Sequence, residues 1–262
     1  MENDDMPVGQ ILSRRDALKL LGVGSAVLLA ACASPAATGL VVSTNASTIS
    51  SALDCVVRPE LTIGPYFVDD QLNRSDIRYD PLENNVSKGI PLILNLIVFE
   101  VANPRCNLLE GAQVDVWHCD SMGVYSGVSE GVFNTLGQKF LRGYQLTNAN
   151  GRVQFQTIYP GWYSGRTVHI HFTIRTKTAD GKDYQFTSQL FFDDALTDQV
   201  HSKKPYAKKG QRNTRNPDDN IFKNGGKQLL LNVRGDGAGG YIATINIGLD
   251  LTDTEVGAAD SF

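Results

Sequence analysis

The stretch Gly161-Trp162-Tyr163-Ser164-Gly165-Arg166-Thr167-Val168-His169-Ile170-His171-Phe172 decides how the rest of the chain is read. From Thr167 to Phe172 polar and apolar residues alternate, which predicts a β-strand packed on a core through one face. Side chains two apart on a strand share a face, so His169 and His171 project together, about 6–7 Å apart along the strand. Val168, Ile170 and Phe172 turn the other way, into packing. Two imidazoles so placed can reach one metal ion. A pair of packed or surface histidines would leave the same pattern. Tyr163 and Arg166 stand just upstream, in a glycine-flanked turn able to fold back over the histidine face.

Outward from this strand, the run Thr178-Ala179-Asp180-Gly181-Lys182 predicts a hairpin turn joining Thr167–Thr176 to Tyr184–Phe192. Gln189 then lies on the partner strand. Asn148-Ala149-Asn150-Gly151 predicts a second hairpin, between 140–147 and 151–158. The apolar run from Ile90 to Val101 suits an inner strand of a sandwich. Ala112 to His118 alternates again, and Leu229–Val233 and Tyr241–Leu249 close the chain as strands. Gly64-Pro65 marks a rigid turn ahead of Tyr66 and Phe67. Residues 193–225 read as loop, with Lys203, Lys204, Lys208, Lys209 and Arg212 as a solvated basic surface. No internal repeat and no sustained helical period stands out after the N-terminus. Many short strands between turn signals predict an all-β fold, an antiparallel β-sandwich with long connecting loops.

At 262 residues, 42% hydrophobic and 20% charged, the composition is that of a folded chain rather than a disordered one. A net charge of −4 offers no basic field, which excludes nucleic acid as the expected partner. The N-terminus reads differently. Ser13-Arg14-Arg15-Asp16-Ala17-Leu18-Lys19 resembles a twin-arginine export signal, followed by an apolar run from Leu20 to Ala31. That run is shorter than the ~20 residues of a spanning helix. It ends in Leu29-Ala30-Ala31-Cys32, which resembles a lipobox; a plain cleaved signal is the alternative. The expected organisation is an export signal over 1–32, a flexible tether over 33–52 and one folded domain over 53–262. The expected location is beyond the bacterial cytoplasmic membrane, periplasmic or at the cell surface, lipid-anchored through Cys32. Export permits one disulfide, for which Cys55 and Cys106 flank the first strands, leaving Cys119 as the odd thiol.

The chain holds only 4 histidines, so a metal here needs ligands of another type. His118, at a buried strand end, is a poor candidate. Tyrosine is the notable neighbour: Tyr163 beside the histidines, and Tyr125 between Gly123 and Gly127. A phenol with a reference pKa of ~10 is deprotonated at neutral pH only by a strongly Lewis-acidic ion such as ferric iron.

Four stretches in order, Val114-Asp115-Val116-Trp117-His118-Cys119-Asp120 with Gly123-Val124-Tyr125-Ser126-Gly127, then Arg142-Gly143 with Thr147, then Pro160-Gly161-Trp162-Tyr163, then Arg166 with His169-Ile170-His171-Phe172, resemble the intradiol ring-cleavage dioxygenases. The resemblance runs over roughly residues 55–250. It implies mononuclear non-haem Fe(3+) held by Tyr125, Tyr163, His169 and His171. Two phenolates and a hydroxide would neutralise that ion, which suits burial. It further implies a catechol-type substrate cleaved with O2 between its two hydroxyl-bearing carbons to a cis,cis-muconate-type product. Tyr163 is then the ligand displaced by substrate, and Arg166 and Gln189 are the catalytic pair beside the ring. Thr62, Gly64, Pro65 and Tyr66 resemble the segment lining the substrate pocket. Without a long helical N-terminal extension the chain leans to the protocatechuate-like members, and family members are usually homo-oligomers. Two other readings stay open. One is a metal-binding surface lipoprotein of the same fold without catalysis, the other a zinc or copper enzyme using His169 and His171.

Overall fold

Period-two apolar patterning builds two sheets whose inner faces pack on each other. The structure, a computed structural model, describes residues 56–253 and 255, apart from 103, 104 and 132. The expected export signal (1–32), Cys32, the tether (33–52) and Cys55 lie outside the described residues. Two short ribbons, β1 (Tyr79–Asp80) with β2 (Asn85–Val86) and β6 (Ser129–Glu130) with β7 (Phe133–Asn134), decorate the sandwich. One sheet orders β12 (Asn232–Gly235), β13 (Tyr241–Leu249), β3 (Pro91–Ala102) and β4 (Arg105–Leu108). In it β9 (Arg152–Ile158) pairs with β3 over Pro91–Ile97, ahead of β4. The other sheet orders β11 (Asp183–Phe191), β10 (His169–Lys177), β5 (Gln113–Trp117) and β8 (Arg142–Leu146).

Between them Leu92, Leu94, Leu96 and Val98 of β3 and Phe155 of β9 meet Val114 and Val116 of β5 and Ile170, Phe172 and Ile174 of β10. Each fully buried side chain of this kind stabilises the fold by about 1.5–3 kcal/mol. The outer face of the β10 sheet is buried too. Trp117, His169, His171, Thr187 and Gln189 are all within 2% of full burial, because long loops cross that face. Leu61 N donates to Thr187 O, and Phe67 packs edge-on against Trp117.

The all-β sandwich with long loops stands as expected, and so does the β10–β11 hairpin, with His171 opposite Gln189. The purely antiparallel pattern does not, since β13 runs parallel to β3 from Tyr241 beside Leu92 to Leu249 beside Glu100. The chain re-enters this sheet at β12, antiparallel to β13, and the turn over 236–240 reverses it, so that β13 runs beside β3 in the same direction. The hairpin expected around Asn148–Gly151 is also corrected. The reversal is there, with Gly151 N donating to Asn148 O, but β8 joins one sheet and β9 the other. Turn chemistry fixes a change of direction, whereas Val153 and Phe155 find their buried positions beside β3. Residues 193–225 hold two helices, α1 (Asp194–His201) and α2 (Asn220–Lys223), capped by Asp193 and Asp219. At 8 and 4 residues they are too short to show a period. Cys106 is disulfide-bonded and Cys119 is a free, buried thiol.

His118 follows β5 and ties the two sheets together through Nε2 to Thr157 Oγ1 of β9, at 2.6 Å. Burial pushes its pKa down to about 4 from the ordinary 6.5. Between those values the unfolded chain binds a proton that the folded one refuses, so acidification through that window costs stability. Asp115, raised to about 6 by burial, acts in the opposite sense, because its folded form holds a proton more tightly than the unfolded one. Urea unfolding of wild type and His118→Gln from pH 7 to 4 separates the two. The wild type should lose stability relative to the variant at up to about 1.4 kcal/mol per pH unit. Parallel curves would show that His118 does not titrate with unfolding.

Candidate metal centre

The outer face of β10 presents His169 and His171, and the neighbouring strands hold them. His171 pairs across with Trp117 of β5 on one side and Gln189 of β11 on the other. The Trp117 indole stacks on the His171 ring, centroids 5.0 Å apart and planes 9° apart. Two loops bring in the tyrosines. Tyr125 is 1% exposed, and its backbone carbonyl accepts from Thr135 Oγ1 at 2.7 Å. Tyr163, half-buried, sits in the turn ahead of β10. The two loops touch where Gly161 N donates to Asp120 O, and a Cβ at Gly123 or Gly161 would collide with the facing backbone. Tyr66 stacks on Tyr125 at 4.4 Å and meets Tyr163 edge-on at 6.3 Å.

Four donor atoms converge. His169 Nε2 stands 3.0 Å from His171 Nε2, 3.2 Å from Tyr163 Oη and 3.4 Å from Tyr125 Oη. Nδ1–H of His169 donates to Thr167 O at 2.7 Å, which leaves the Nε2 lone pair facing the cluster. Donors about 3 Å apart are the spacing that ligands about 2 Å from a common ion present. Burial first, with Arg166 and the neighbouring rings after it, holds both imidazoles far below their usual pKa, so they are neutral. Burial, reinforced by Tyr163 and by Cys119 nearby, raises Tyr125, and burial also raises Tyr163 against the pull of Arg166. Phenols so disfavoured as anions ionise here only onto a strong Lewis acid. Among the described residues there is no group of three or more His, Cys, Asp or Glu able to hold a metal, so an ion at His169 and His171 would need the tyrosine oxygens as further donors. Two imidazoles with two phenol oxygens fit a hard trivalent ion rather than zinc.

Beside the donors opens a pocket of about 210 Å³ walled by Pro65, Tyr66, Tyr163, Ser164, Gly165, Arg166 and His171. Arg166 donates from Nε to Asp219 Oδ2 at 2.9 Å and from Nη2 to Gln189 Oε1 at 2.6 Å. Gln189 in turn donates from Nε2 to Thr62 O at 3.0 Å. The structure thus brings together Tyr125, Tyr163, His169, His171, Arg166, Gln189, Pro65 and Tyr66. Thr62 and Gly64 stand behind the wall. Thr62 fixes Gln189 and accepts from Gly64 N, and Gly64 lets the backbone pass close to the His171 ring. Sequence reasoning missed Trp117 and Asp219. The alternation of β5 puts Trp117 on the site face, whereas Asp219 lies in the stretch read as loop and carries no local signal.

Residues 209–219 run as a strap along the Trp162–Thr167 turn. Trp162 Nε1 donates to Gly210 O, Asn213 Nδ2 to Ser164 Oγ, and Thr167 Oγ1 to Asn216 Oδ1. Arg212, expected in a solvated basic loop, is instead buried at 3% side-chain exposure and paired with Asp194 and Asp198 of α1. Asp194 also accepts from Asn216 N. Replacing a buried ion-pair member costs about 3–5 kcal/mol, less where partners are exposed as Asp198 is. Arg212→Met should therefore lower the unfolding free energy by about 1–3 kcal/mol in urea titrations. A loss within the range of ordinary surface substitutions would show that the strap does not need this pin.

The sandwich recurs in known proteins. A family model described as "Dioxygenase" matches residues 62–215, more than half of the chain. An intradiol ring-cleavage dioxygenase from Tetranychus urticae superposes with a TM-score of 0.65 at 32% identity, over 75% of this chain and 96% of that one. The dioxygenase domain of a carbohydrate-binding fusion protein from Streptomyces sp. SirexAA-E gives 0.52 at 28% identity, over 74% and 99%. Chlorocatechol 1,2-dioxygenase of Pseudomonas putida is 28% identical over 104 residues, which span 33% of this chain and 37% of that relative. With two tyrosines and two histidines converging beside an arginine-walled pocket on this scaffold, the chain belongs to the intradiol ring-cleavage dioxygenases.

Proposed function

We propose that the chain is a non-haem iron(III) dioxygenase. It opens a catechol-type ring between the two hydroxyl-bearing carbons with O2, giving a cis,cis-muconate-type product. The observation that carries this reading is the convergence of Tyr125, Tyr163, His169 and His171 within 3.0–3.4 Å of His169 Nε2, at the foot of the Arg166 pocket. Bound ferric iron supplies the Lewis acidity that ionises phenols and draws electron density from a catecholate.

The chain's own residues divide the remaining work. A cavity of about 150 Å³ is enough for benzene, so a pocket of about 210 Å³ suits a single substituted ring. Tyr66 and Pro65 supply apolar wall for the ring. Tyr163 borders the pocket next to exposed Ser164 and Gly165, so its phenol has room to swing aside. Its pKa is raised by burial, so a released Tyr163 oxygen readily takes a catechol hydroxyl proton at Oη. Arg166 is a fixed cation where negative charge develops on the ring, the arrangement that lowers such barriers most. Gln189 holds the guanidinium from the far side.

The N-terminal sequence from Ser13 to Cys32 supports export and lipid anchoring through Cys32, and a disulfide at Cys106 suits an oxidising compartment. Among the described residues no helix is long and apolar enough to cross a membrane.

Iron-loaded protein should be red-brown from a phenolate-to-iron band and should consume O2 with members of a catechol panel. His169→Ala should abolish iron retention. Tyr163→Phe should keep partial iron, shift the band and lower turnover by about 10²-fold or more, the scale of losing a general base. A colourless, iron-replete preparation sinks the reading. Iron and colour without oxygen uptake on any catechol would leave a metal-binding protein without catalysis.

A further inference from the structure

We propose that Asp219 is a positioning residue for the ring-opening reaction, setting the guanidinium of Arg166 without touching substrate or metal. The role rests on the dioxygenase reading above. Asp219 is 1% exposed and 53 positions from Arg166 in sequence, carried to it by the 209–219 strap. Its two oxygens do different jobs. Oδ1 accepts Phe222 N at 2.9 Å, the ordinary cap of α2. Oδ2 accepts both Arg166 Nε at 2.9 Å and Thr167 N at 2.8 Å. A cap alone needs one acceptor, and any small polar residue supplies it. The second oxygen joins the turn and its arginine to the strap.

Arg166 is 7% exposed and gripped on both flanks, Nε by Asp219 and Nη2 by Gln189. Gln189 is itself pinned on Thr62 O. A planar guanidinium held at two of its nitrogens has one orientation left, so its field points one way into the pocket. Gln189 is neutral, whereas Asp219 supplies compensating charge to this buried cation. Without it, the buried Arg166 cation would be drawn to solvent through the open rim at Ser164 and Gly165. Asp219 is absent from the pocket wall and bonds to none of the four donors, so its removal should act on the arginine and spare the metal.

The test uses the full chain, iron-loaded, with Asp219→Ser and Asp219→Asn. Serine still caps a helix but is too short to reach Arg166, and asparagine keeps the size without the charge. The expected result in both is a fall in kcat of about 10²-fold, the scale of losing one preorganised electrostatic contact. KM should move by less than about threefold, with iron content and the phenolate-to-iron band retained, since uniform binding is untouched. In the metal-free protein, the Arg166 Nε–H resonance, assigned by its loss in Arg166→Lys, should sit far downfield in the wild type. It should return to the value of a solvated arginine in Asp219→Ser. A wild-type kcat in Asp219→Ser, or a loss of iron parallel to the loss of kcat, overturns the proposal in favour of a cap or a metal-site role. An Nε–H resonance unmoved by the substitution overturns it even if a variant folds poorly. A wild-type protein inert towards every catechol instead removes the dioxygenase reading on which the role depends.

Discussion

The register of β10 is the constraint on which the site depends. Alternation gives Ile170, Phe172 and Ile174 to the core and His169 and His171 to the loop-covered face, and a slip by one residue would exchange them. That slip would push two imidazoles into hydrocarbon and pull three large apolar side chains out of the sandwich core into a polar cluster, a cost of several kcal/mol in packing and desolvation. The register is also enforced from both sides. β11 places Gln189, and β5 places Trp117, opposite the same His171. One cross-strand row therefore holds a metal donor, the ring that stacks on it and the amide that steers Arg166.

Much of this row is legible from residues 161–192, because both hairpin partners lie close in sequence and the pattern is strictly local. Tyr125 is not legible in that way. Its loop reaches the histidines only after the sandwich closes, and what identified it was the order of four separated stretches. The misread parts share a cause. The Asn148–Gly151 turn reverses the chain as its residues dictate, but which sheet each arm joins depends on where Val153 and Phe155 find cover. The parallel run of β13 beside β3 depends likewise on a connection whose course composition does not reveal. Arg212 looked like one charge among lysines, and only its burial against Asp194 and Asp198 sets it apart. Asp219 stood in the same loop without a signal, and both its cap on α2 and the second oxygen on Arg166 are read only in three dimensions.

The electrostatics of the site follow from covering that face so completely. Burial keeps the histidines neutral and disfavours both phenolates, so the donor set by itself resists protonation at nitrogen and ionisation at oxygen alike. A trivalent ion reverses the second preference, since two phenolates cancel most of its charge in a medium that tolerates little net charge. The donor set therefore selects for an ion that can ionise tyrosine, which calcium, magnesium and zinc do far less readily.

The two tyrosines are not equivalent, and in the proposed reaction this asymmetry divides their roles. Tyr125 is fully covered, stacked under Tyr66 and fixed through its carbonyl by Thr135. Any motion would open a buried void the size of a phenol ring, at a cost of about 3–5 kcal/mol. Tyr163 borders the pocket beside two exposed residues and is followed three positions later by Arg166, which Asp219 and Gln189 hold still. The turn is thus open to the pocket and solvent at its tip and anchored at its base. A ligand that must leave and a cation that must stay can share four residues of chain only because the strap grips the turn at Arg166 and Thr167 while leaving the ring of Tyr163 facing open space.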